Sequence, residues 1–572
     1  MIVHALLSPG NKHDDSVASG IQNMVINRWK DFLDIKKKEI EVHEQREIVR
    51  ATSVMGSATF LSRILGLVRD IVIAGFFGAG RVTDAFFIAF AIPNLLRRLL
   101  GEGTLTASFV PVYTDYLTHR PHEAPQVVHV TTTVVASLLI ILTAVGIAFA
   151  PWIIKIQAFG WKDDAALVRL TVHLARICFP YLFFIGLVAL AMGVLNSHRH
   201  FLAPALAPCL LNISIIACVF FLSPKIYPPI VTAALGVFLG GLTQLLLQIP
   251  FLRVKGITFK IKFDLHHPAV RRIALMMAPM MLGIAAFQFN QVVSRLLASF
   301  LPKGSVSYLY YADRIFEFPI GIFAVALGVA VLPSFSRLVA GGKIEEFKGE
   351  VNFSLRLILF ITLPAMAGLI ILRIPILNLI FQHGSFTYQS TAMTAQALLC
   401  YSFSIWAYGG INVLSRAFYA FEDVKTPFLT ALVAVGVNVL LGVILMYPLK
   451  HAGLALANSC AAIVNVALLT LFFHRKTAGL RWKELFSSLF TIAVALIPLL
   501  LVTIFIVKAY RWTESGGYVV KIPLLGGGII AAMALFFLCS YLLKNQELRA
   551  LWQAMRSGHG RQRPSATPRD PR

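Results

Sequence analysis

Apolar residues recur along the chain in runs long enough to cross a lipid bilayer, and short polar connections separate the runs. A transmembrane helix needs about 20 predominantly apolar residues. Runs of this size recur from Ala51 to the neighbourhood of Leu543, which predicts fourteen membrane spans. The chain is therefore predicted to be an all-α polytopic membrane protein. The predicted spans cover residues 51–76, 84–112, 128–155, 166–195, 201–222, 229–251, 268–300, 306–336, 351–372, 391–419, 427–447, 452–474, 485–508 and 521–543.

The composition supports this prediction and narrows the function classes. Of 572 residues, 57% are hydrophobic and 14% are charged, and the mean hydropathy of +0.75 exceeds that of a soluble domain with a polar surface. The six cysteines lie inside apolar runs without CxxC spacing, as small core residues do. No Walker A, HExxH or GxSxG motif occurs, so we expect a transporter without catalytic residues, metal or cofactor.

Basic residues are distributed unevenly between the two sets of connections. The connections after even-numbered spans carry sixteen Lys or Arg, and the opposite connections carry nine. This excess marks the cytoplasmic face, so both termini are predicted to be cytoplasmic. The topology accounts for much of the net charge of +24. Nucleic-acid binding is a poor alternative, because the basic residues are scattered over short loops.

Matching landmarks indicate an internal repeat. Pro93 and Pro319 are 226 positions apart, and so are Asn212 and Asn438. An offset near 224 covers six spans, so the two copies would keep the same orientation in the membrane. We therefore predict two parallel six-helix lobes plus two extra C-terminal helices. The predicted regions are a polar cytoplasmic extension (1–50), an N-lobe (51–253), a basic cytoplasmic loop (254–267), a C-lobe (268–475), two extra helices (476–543) and a disordered basic cytoplasmic tail (544–572).

Charged residues inside spans 1, 2 and 8 are the strongest indication of function. A charge at the bilayer centre costs about 2.5–3.5 kcal/mol on insertion scales, so such residues face a cavity or a partner. Helical geometry gives span 1 a polar face, allows Arg98 and Glu102 to pair, and groups the charges of span 8. The residues that carry this pattern are Ser62, Arg63, Arg69, Asp70, Arg97, Arg98, Glu102, Asp313, Arg314 and Glu317.

Two interpretations of these charges remain open from the residues alone. Guanidinium groups suit phosphate oxygens, so Arg63, Arg69, Arg97 and Arg314 predict a site for a phosphate or pyrophosphate. Alternatively, the charges form structural ion pairs that fix helix register, namely Arg63 with Asp70, Arg98 with Glu102 and Arg314 with Asp313. Proline kinks in several spans favour an alternating-access carrier, and its energy would come from an ion gradient or the membrane potential.

Long motifs in the chain are similar to those of a known family. The segments are SRILGLVRDIVIAGFFGAGRVTDAFFIAFAIPNLLRR, GEGTLTASFVPVYTDY, GSVSYLYYADRIFEFPIGIFAVALGVAVLPSFS and RAFYAFEDVKTP. They closely resemble the MurJ (MviN) family of bacterial lipid II flippases, from about Ala51 to Leu543. The family belongs to the superfamily of multidrug, oligosaccharidyl-lipid and polysaccharide exporters, whose members have two six-helix lobes.

The resemblance implies a function, a location and a set of site residues. It implies that the chain carries the undecaprenyl-pyrophosphate-linked peptidoglycan precursor across the bacterial inner membrane, from the cytoplasmic to the periplasmic leaflet. It implies a monomer in the phospholipid bilayer, with the cell-wall elongation or division machinery as a further candidate partner and no nucleic acid. Substrate-binding residues carried over are Ser62, Arg63, Arg69, Arg97, Arg98, Ser307 and Arg314, and gating or ion-pair residues carried over are Asp84, Glu102, Asp313 and Glu317; the charge pattern of span 1 adds Asp70 to the second group. The two extra helices over 476–543 resemble those that form the family's groove for the lipid tail.

The sequence departs from the family in two respects. It also leaves several alternative functions open. Some family members bind sodium through a carboxylate in span 7, whereas this span offers Gln288, Asn290, Ser294 and Arg295 but no acid. The first 40 or so residues also exceed the family's usual length. Rivals are a flippase for another polyprenyl-linked glycan, a multidrug exporter of the same superfamily, a membrane glycosyltransferase and a cell-wall scaffold. An exporter of cationic drugs would not be expected to line its cavity with arginines.

Overall fold

Every regular element in the described part of the chain is a helix, which confirms the all-α prediction. The structure is a computed structural model, and it describes residues 53–477 and 479–557 together with Asn27 and Lys36. The predicted extension over 1–50 lies almost wholly outside the described residues. The helices are α1 (53–77), α2 (Arg81–Leu100), α3 (Thr106–His119), α4 (Ala124–Gln157), α5 (Ala165–Cys178), α6 (Tyr181–Ser197), α7 (Leu202–Leu222), α8 (Val231–Val254), α9 (Pro268–Ser299), α10 (Ser305–Pro319), α11 (Val325–Ala340), α12 (Ile344–Phe381), α13 (Tyr388–Ser402), α14 (Ile405–Ala420), α15 (Lys425–Thr477), α16 (Trp482–Ala509), α17 (Tyr518–Leu542) and α18 (Gln546–Ser557).

These helices account for the predicted membrane spans. Within the described residues, ten helical segments are long and apolar enough to cross a membrane. One of them, α15, joins two helices at Lys450, where φ is 52°. Helices α1, α2 and α9 are not among the ten and carry intramembrane charges of the kind that the sequence predicts. The protein is a multi-pass membrane protein, and the number of fourteen crossings stays a prediction.

The helix boundaries repeat along the chain at the interval that the sequence landmarks indicate. We refer to α1–α8 as the N-terminal half and to α9–α15 as the C-terminal half. Each half has a π-helical turn at a corresponding place, Gly101–Leu105 after α2 and Ile320–Ala324 after α10. Three pairs of boundaries are each 224 positions apart, namely the starts of α2 and α10, Arg81 and Ser305, the ends of α5 and α13, Cys178 and Ser402, and the starts of α6 and α14, Tyr181 and Ile405.

Two glycines of α8 allow α7 and α8 to approach each other closely in the N-terminal half. Gly236 and Gly240 are one helical turn apart on α8 and face α7. A Cβ atom at Gly236 would lie 2.6 Å from the Cα atom of Ile215, so only glycine allows this approach. The contact fixes α7 in the half, and with it the buried side chain of Asn212, which points towards α1.

Helix α18 corrects the prediction of a disordered tail over 544–572. Residues Gln546–Ser557 are helical, and residues 558–572 lie outside the described residues. The Glu547 carboxylate of α18 is buried, lies 3.3 Å from Nε of Arg356 on α12, and accepts a hydrogen bond from Ser488 on α16. Leu548 and Leu551 pack against the same helices. The prediction rested on the Pro-, Arg- and Gly-rich end of the tail and passed over the helical spacing of Leu548, Leu551, Trp552 and Met555 before it.

We expect the ion pair of Arg356 and Glu547 to stabilise the fold chiefly because each group neutralises the buried charge of the other. Arg356→Met should lower the free energy of unfolding by about 3 kcal/mol, because it leaves the buried Glu547 carboxylate without a cation. Glu547→Leu should cost less, because Glu484 still lies 3.8 Å from Nη1 of Arg356. The double variant should lose less than the sum. Thermal unfolding of the detergent-purified protein measures all three, and additive losses would show that the two groups do not interact.

Candidate functional site

A large cavity lies between the two halves of the protein. Its volume is about 1020 Å³, and both charged and apolar side chains line it. The charged and polar lining residues come from α1, α2, α7, α9, α10 and α15. They are Ser62, Arg63, Arg69, Asp70, Asn94, Arg97, Arg98, Asn212, Gln291, Ser294, Arg295, Asp313, Arg314, Glu317 and Asn458. Helices α12, α16 and α17 supply an apolar lining that includes Leu369, Leu372, Ile376, Leu499, Leu525, Ile529 and Met533.

The Asp70 carboxylate joins the two halves at the wall of this cavity. Its side chain is 1% exposed, and Nη2 of Arg69 donates to Oδ1 at 2.7 Å. Nε of Arg314, on the C-terminal half, lies 3.1 Å from Oδ2. Because an unpaired buried charge is costly, the carboxylate holds one arginine of each half beside it.

Tyr310 completes this cluster. Its hydroxyl donates to Asp70 at 3.2 Å and accepts from Nη2 of Arg69 at 3.1 Å and from Nη2 of Arg314 at 2.9 Å. The ring of Tyr310 stacks on Phe87 of α2 with centroids 3.7 Å apart. The Arg314 guanidinium also lies 4.9 Å from the centroid of the Tyr310 ring, within cation–π range.

The other cavity arginines differ from Arg69 and Arg314 in how many of their guanidinium donors are bound by protein groups. Arg97 donates through Nε and Nη2 to the Asn94 carbonyl at 3.0 and 2.8 Å. Arg63, Arg98 and Arg295 form no hydrogen bond and no ion pair with any residue that the structure describes. Within the described part of the chain, these guanidinium groups therefore keep their donors for an anion in the cavity, which the planar fork of arginine binds well.

A second carboxylate joins the halves beyond the end of the cavity. Asp84 of α2 accepts hydrogen bonds from the amide of Gly304 at 2.6 Å, the amide of Ser307 at 2.8 Å and the hydroxyl of Ser307 at 2.6 Å. Gly304 precedes the first residue of α10 and has φ of 94°, which favours glycine. Asp84 thus caps the N-terminus of a helix in the other half, where a negative charge is favoured. We refer to Asp84, Gly304 and Ser307 as the latch.

Further contacts surround the latch. The amide of Ser385 donates to the carbonyl of Gly75 at 2.8 Å, and its hydroxyl donates to the carbonyl of Phe76 at 3.0 Å. Nearby, Lys303 lies 3.5 Å from Asp164, which also pairs with Arg81. The amide of Leu167 and then these two cations keep the pKa of Asp164 below its usual value. Both halves are held together at this end of the bundle.

Most residues predicted from the sequence to form the site line the cavity. They are Ser62, Arg63, Arg69, Asp70, Arg97, Arg98, Asp313, Arg314 and Glu317. Ser307, predicted to bind substrate, lies outside the cavity because Asp84 holds its hydroxyl. Asp84 is likewise in the latch, and its gating role stays a prediction. The Glu102 side chain, and with it the predicted pair of Arg98 and Glu102, lies outside the described residues.

The predicted ion pairs differ from the observed ones. Asp70 pairs with Arg69 and Arg314 and not with Arg63. Arg314 lies 3.6 Å from Glu317 and forms no ion pair with Asp313. The predictions assumed partners within one helix, whereas Asp70 pairs not only with its immediate neighbour Arg69 but also, across the two halves, with Arg314.

Sequence reasoning missed several site residues. Tyr310 and Asn94 bind cavity arginines, and neither position showed a charge pattern. Asn212 served only as a repeat landmark, yet its amide carbonyl accepts from Nη1 of Arg69 at 3.0 Å. The corresponding Asn438 donates to Asn290 at 2.7 Å, so it occupies polar groups of span 7. Within the described residues, no group of three or more His, Cys, Asp or Glu side chains could hold a metal ion.

Comparison with known proteins identifies relatives that cover most of the chain. The sequence profile of the family described as "Lipid II flippase MurJ" matches residues 73–524. The "Lipid II flippase MurJ" of Burkholderia cenocepacia is 36% identical over 434 residues, 75% of this chain and 84% of that protein. The "Probable lipid II flippase MurJ" of Vibrio cholerae is 35% identical over 442 residues, 76% of this chain and 84% of that protein.

Solved structures agree with these relatives. A structure titled "Lipid II flippase MurJ, inward closed conformation" superposes with a TM-score of 0.69 at 28% identity, covering 86% of this chain and 98% of that chain. An inward-facing multidrug resistance transporter of the MATE family superposes with a TM-score of 0.60 at 15% identity, covering 75% and 98%. The second likeness shows a shared fold.

Variants of the latch should rank by the number of hydrogen bonds that each removes. Ser307→Ala removes one bond to Asp84, and we expect a loss of about 1.5 kcal/mol in the free energy of unfolding. Asp84→Ala removes all three and should cost at least twice as much. Thermal unfolding in detergent measures the order, and equal losses would contradict the geometry described for Asp84.

Proposed function

Because the chain belongs to the MurJ family and is a lipid II flippase, we propose that its cavity arginines hold the substrate's pyrophosphate while α12, α16 and α17 receive its polyprenyl chain. The protein is a transporter and not an enzyme. Lipid II carries a large polar headgroup, a pyrophosphate and a long polyprenyl chain. A carrier must therefore shelter charge and polar sugars without drawing the whole hydrocarbon chain out of the lipid.

The observation that supports this proposal most is the continuity of the two linings. One cavity is lined both by six arginines and by apolar side chains of α12, α16 and α17. An apolar wall lets the polyprenyl chain enter from the lipid without exposure to water, and such exposure would cost about 25 cal/mol for each Å². The arginines then contact the pyrophosphate, which is bonded to the end of the polyprenyl chain. This arrangement also supports the predicted lipid-tail groove of α16 and α17.

The charge balance of the described lining residues supports an anionic occupant. The six arginines, at positions 63, 69, 97, 98, 295 and 314, outnumber three carboxylates, Asp70, Asp313 and Glu317, which leaves three net positive charges. The pyrophosphate diester of lipid II is an anion at neutral pH. It would offset part of this excess, whereas a cation would add to it.

We further propose that transport proceeds by alternating access, with the latch closing one end of the cavity. Asp84 accepts three hydrogen bonds from α10 and its preceding turn, so separating the halves at this end breaks all three. The predicted lobes, 51–253 and 268–475, would rock about the buried cluster of Asp70. The π-helical turns at Gly101–Leu105 and Ile320–Ala324 supply places where α2–α3 and α10–α11 can bend.

The distribution of basic residues and the charge of the substrate support a proposal for the orientation of the protein and for the force that drives transport. The excess of basic residues at the end opposite the latch supports a cytoplasmic location for that end and for both termini in the bacterial inner membrane. The latch then closes the periplasmic side. Outward movement of an anion is favoured by an inside-negative potential, by about 2.3 kcal/mol for each charge across 100 mV. The membrane potential, or an ion gradient, would thus drive a monomeric carrier.

Removal of an open cavity cation should slow transport. We expect Arg63→Gln to lower lipid II translocation at least about tenfold, because a charged hydrogen bond to the substrate is lost. Proteoliposomes with fluorescent lipid II, scored by an enzyme added outside, measure the rate. Arg337→Gln, at an exposed position outside the cavity, serves as the matched control. Equal rates for Arg63→Gln and the control would contradict the proposed binding role.

The proposed orientation has a separate test. In a variant without native cysteines, Ser515→Cys and Lys262→Cys place single thiols at exposed positions at opposite ends of the protein. A reagent that cannot cross the inner membrane should label Ser515→Cys and spare Lys262→Cys in spheroplasts. The reverse pattern would overturn the orientation and leave the identity of the carrier intact.

A further inference from the structure

Arg295 is an arginine of the cavity for which neither the charge pattern nor the resemblance suggested a binding role. It lies on α9 beside Gln291 and Ser294 and lines the cavity from the C-terminal half. No residue that the structure describes gives it a hydrogen bond or an ion pair. A guanidinium held in a cavity within the membrane with all its donors unused is costly unless it meets an anion.

The repeat explains why Arg295 is left open. Arg295 follows Arg69 by 226 positions, which is also the interval between Asn212 and Asn438. In the N-terminal half, Asn212 accepts from Arg69, and Asp70 neutralises it. In the C-terminal half, Asn438 donates to Asn290 and Ser294 instead, and the residue after Arg295 is leucine. The same position thus holds a structural arginine in one half and an unpaired one in the other.

The charges that face Arg295 come from two other helices. Arg98 of α2 and Asp313 of α10 are both close enough to interact with it electrostatically. Arg98, like Arg295, is unpaired among the described residues and lines the cavity. Among the described residues, two guanidinium groups from opposite halves therefore lie near one carboxylate, Asp313, which itself interacts with Glu317. The mutual repulsion of the two guanidinium groups is relieved when an anion with two acceptor groups lies between them.

We propose that Arg295 binds the pyrophosphate of the transported lipid, with one phosphoryl group held by Arg98 of the N-terminal half and the other by Arg295 of the C-terminal half. Asp313 partly neutralises both cations while the cavity is empty. The bound pyrophosphate then links α2 to α9, so substrate binding itself draws the two halves together. This inference rests on the proposed function of the cavity and adds Arg295 to it.

The test compares two lipids that differ by one phosphoryl group. Binding of undecaprenyl pyrophosphate and of undecaprenyl phosphate to the full-length purified protein is measured in one detergent by native mass spectrometry. Arg295→Gln should weaken binding of the pyrophosphate lipid about tenfold, since a charged hydrogen-bonding contact is lost. Binding of the monophosphate lipid, which reaches only one cation, should change less than threefold. Arg295→Lys should restore part of the loss, because it keeps the charge but not the fork.

Control variants and control ligands distinguish the bridging role of Arg295 from the proposed function of the whole cavity. Arg475→Gln removes an exposed arginine outside the cavity and should leave both affinities unchanged. Equal weakening of both lipids by Arg295→Gln, or no weakening of either, would overturn the bridging role. Inorganic pyrophosphate that binds as tightly as the lipid, and in an Arg295-dependent manner, would assign the contact to a free anion. A wild-type protein that binds neither lipid would instead contradict the proposed function of the whole cavity.

Discussion

The burial of the Asp70 carboxylate is the constraint on which the rest of the site depends. A carboxylate that is 1% exposed within the membrane must be neutralised, and its two nearest cations, Arg69 and Arg314, come from different halves of the chain. Tyr310 fills the space between them and contacts all three. The cluster therefore fixes how α1, α2 and α10 meet, and that meeting forms the wall of the cavity.

The neutralised cluster separates the cavity arginines into two groups with different roles. Arg69 and Arg314 are held by protein partners and fix structure, whereas Arg63, Arg98 and Arg295 keep donors open among the described residues. A site built in this way stays positively charged without relying on all its cations for binding. The apolar surface of α12, α16 and α17 continues from it, so a charged headgroup and a hydrocarbon chain can be bound by one carrier.

The sequence predicted the helices well because hydrophobic length and the cost of intramembrane charge are local properties. Positions of the spans, the repeat near 224 residues and the convergence of Arg69, Asp70, Arg97 and Arg314 on one cavity all follow from such properties. Pairings between halves could not be predicted, since Asp70 and Arg314 are 244 positions apart and only the fold brings them together. The position of Ser307 in the latch could not be predicted for the same reason, because its partner Asp84 lies in the other half.

Tyr310 and α18 show two further limits. An aromatic residue in a membrane span is most often a packing residue, so nothing in the sequence distinguished Tyr310 as a partner of three charged groups. Helix α18 was predicted as part of a disordered tail from the composition of the residues that follow it, whereas Glu547 is held by Arg356, which is 191 positions earlier. In both cases the deciding contact comes from a distant part of the chain.

The leaflet location of lipid II in cells depleted of this protein tests the central claim most directly. Cleavage by an enzyme that is added outside and cannot cross the inner membrane reports how much lipid II faces the periplasm. The account predicts that lipid II accumulates in a protected form on depletion and becomes cleavable again on re-expression. Accumulation of lipid II that is fully cleavable from outside would place the protein after translocation and contradict the account.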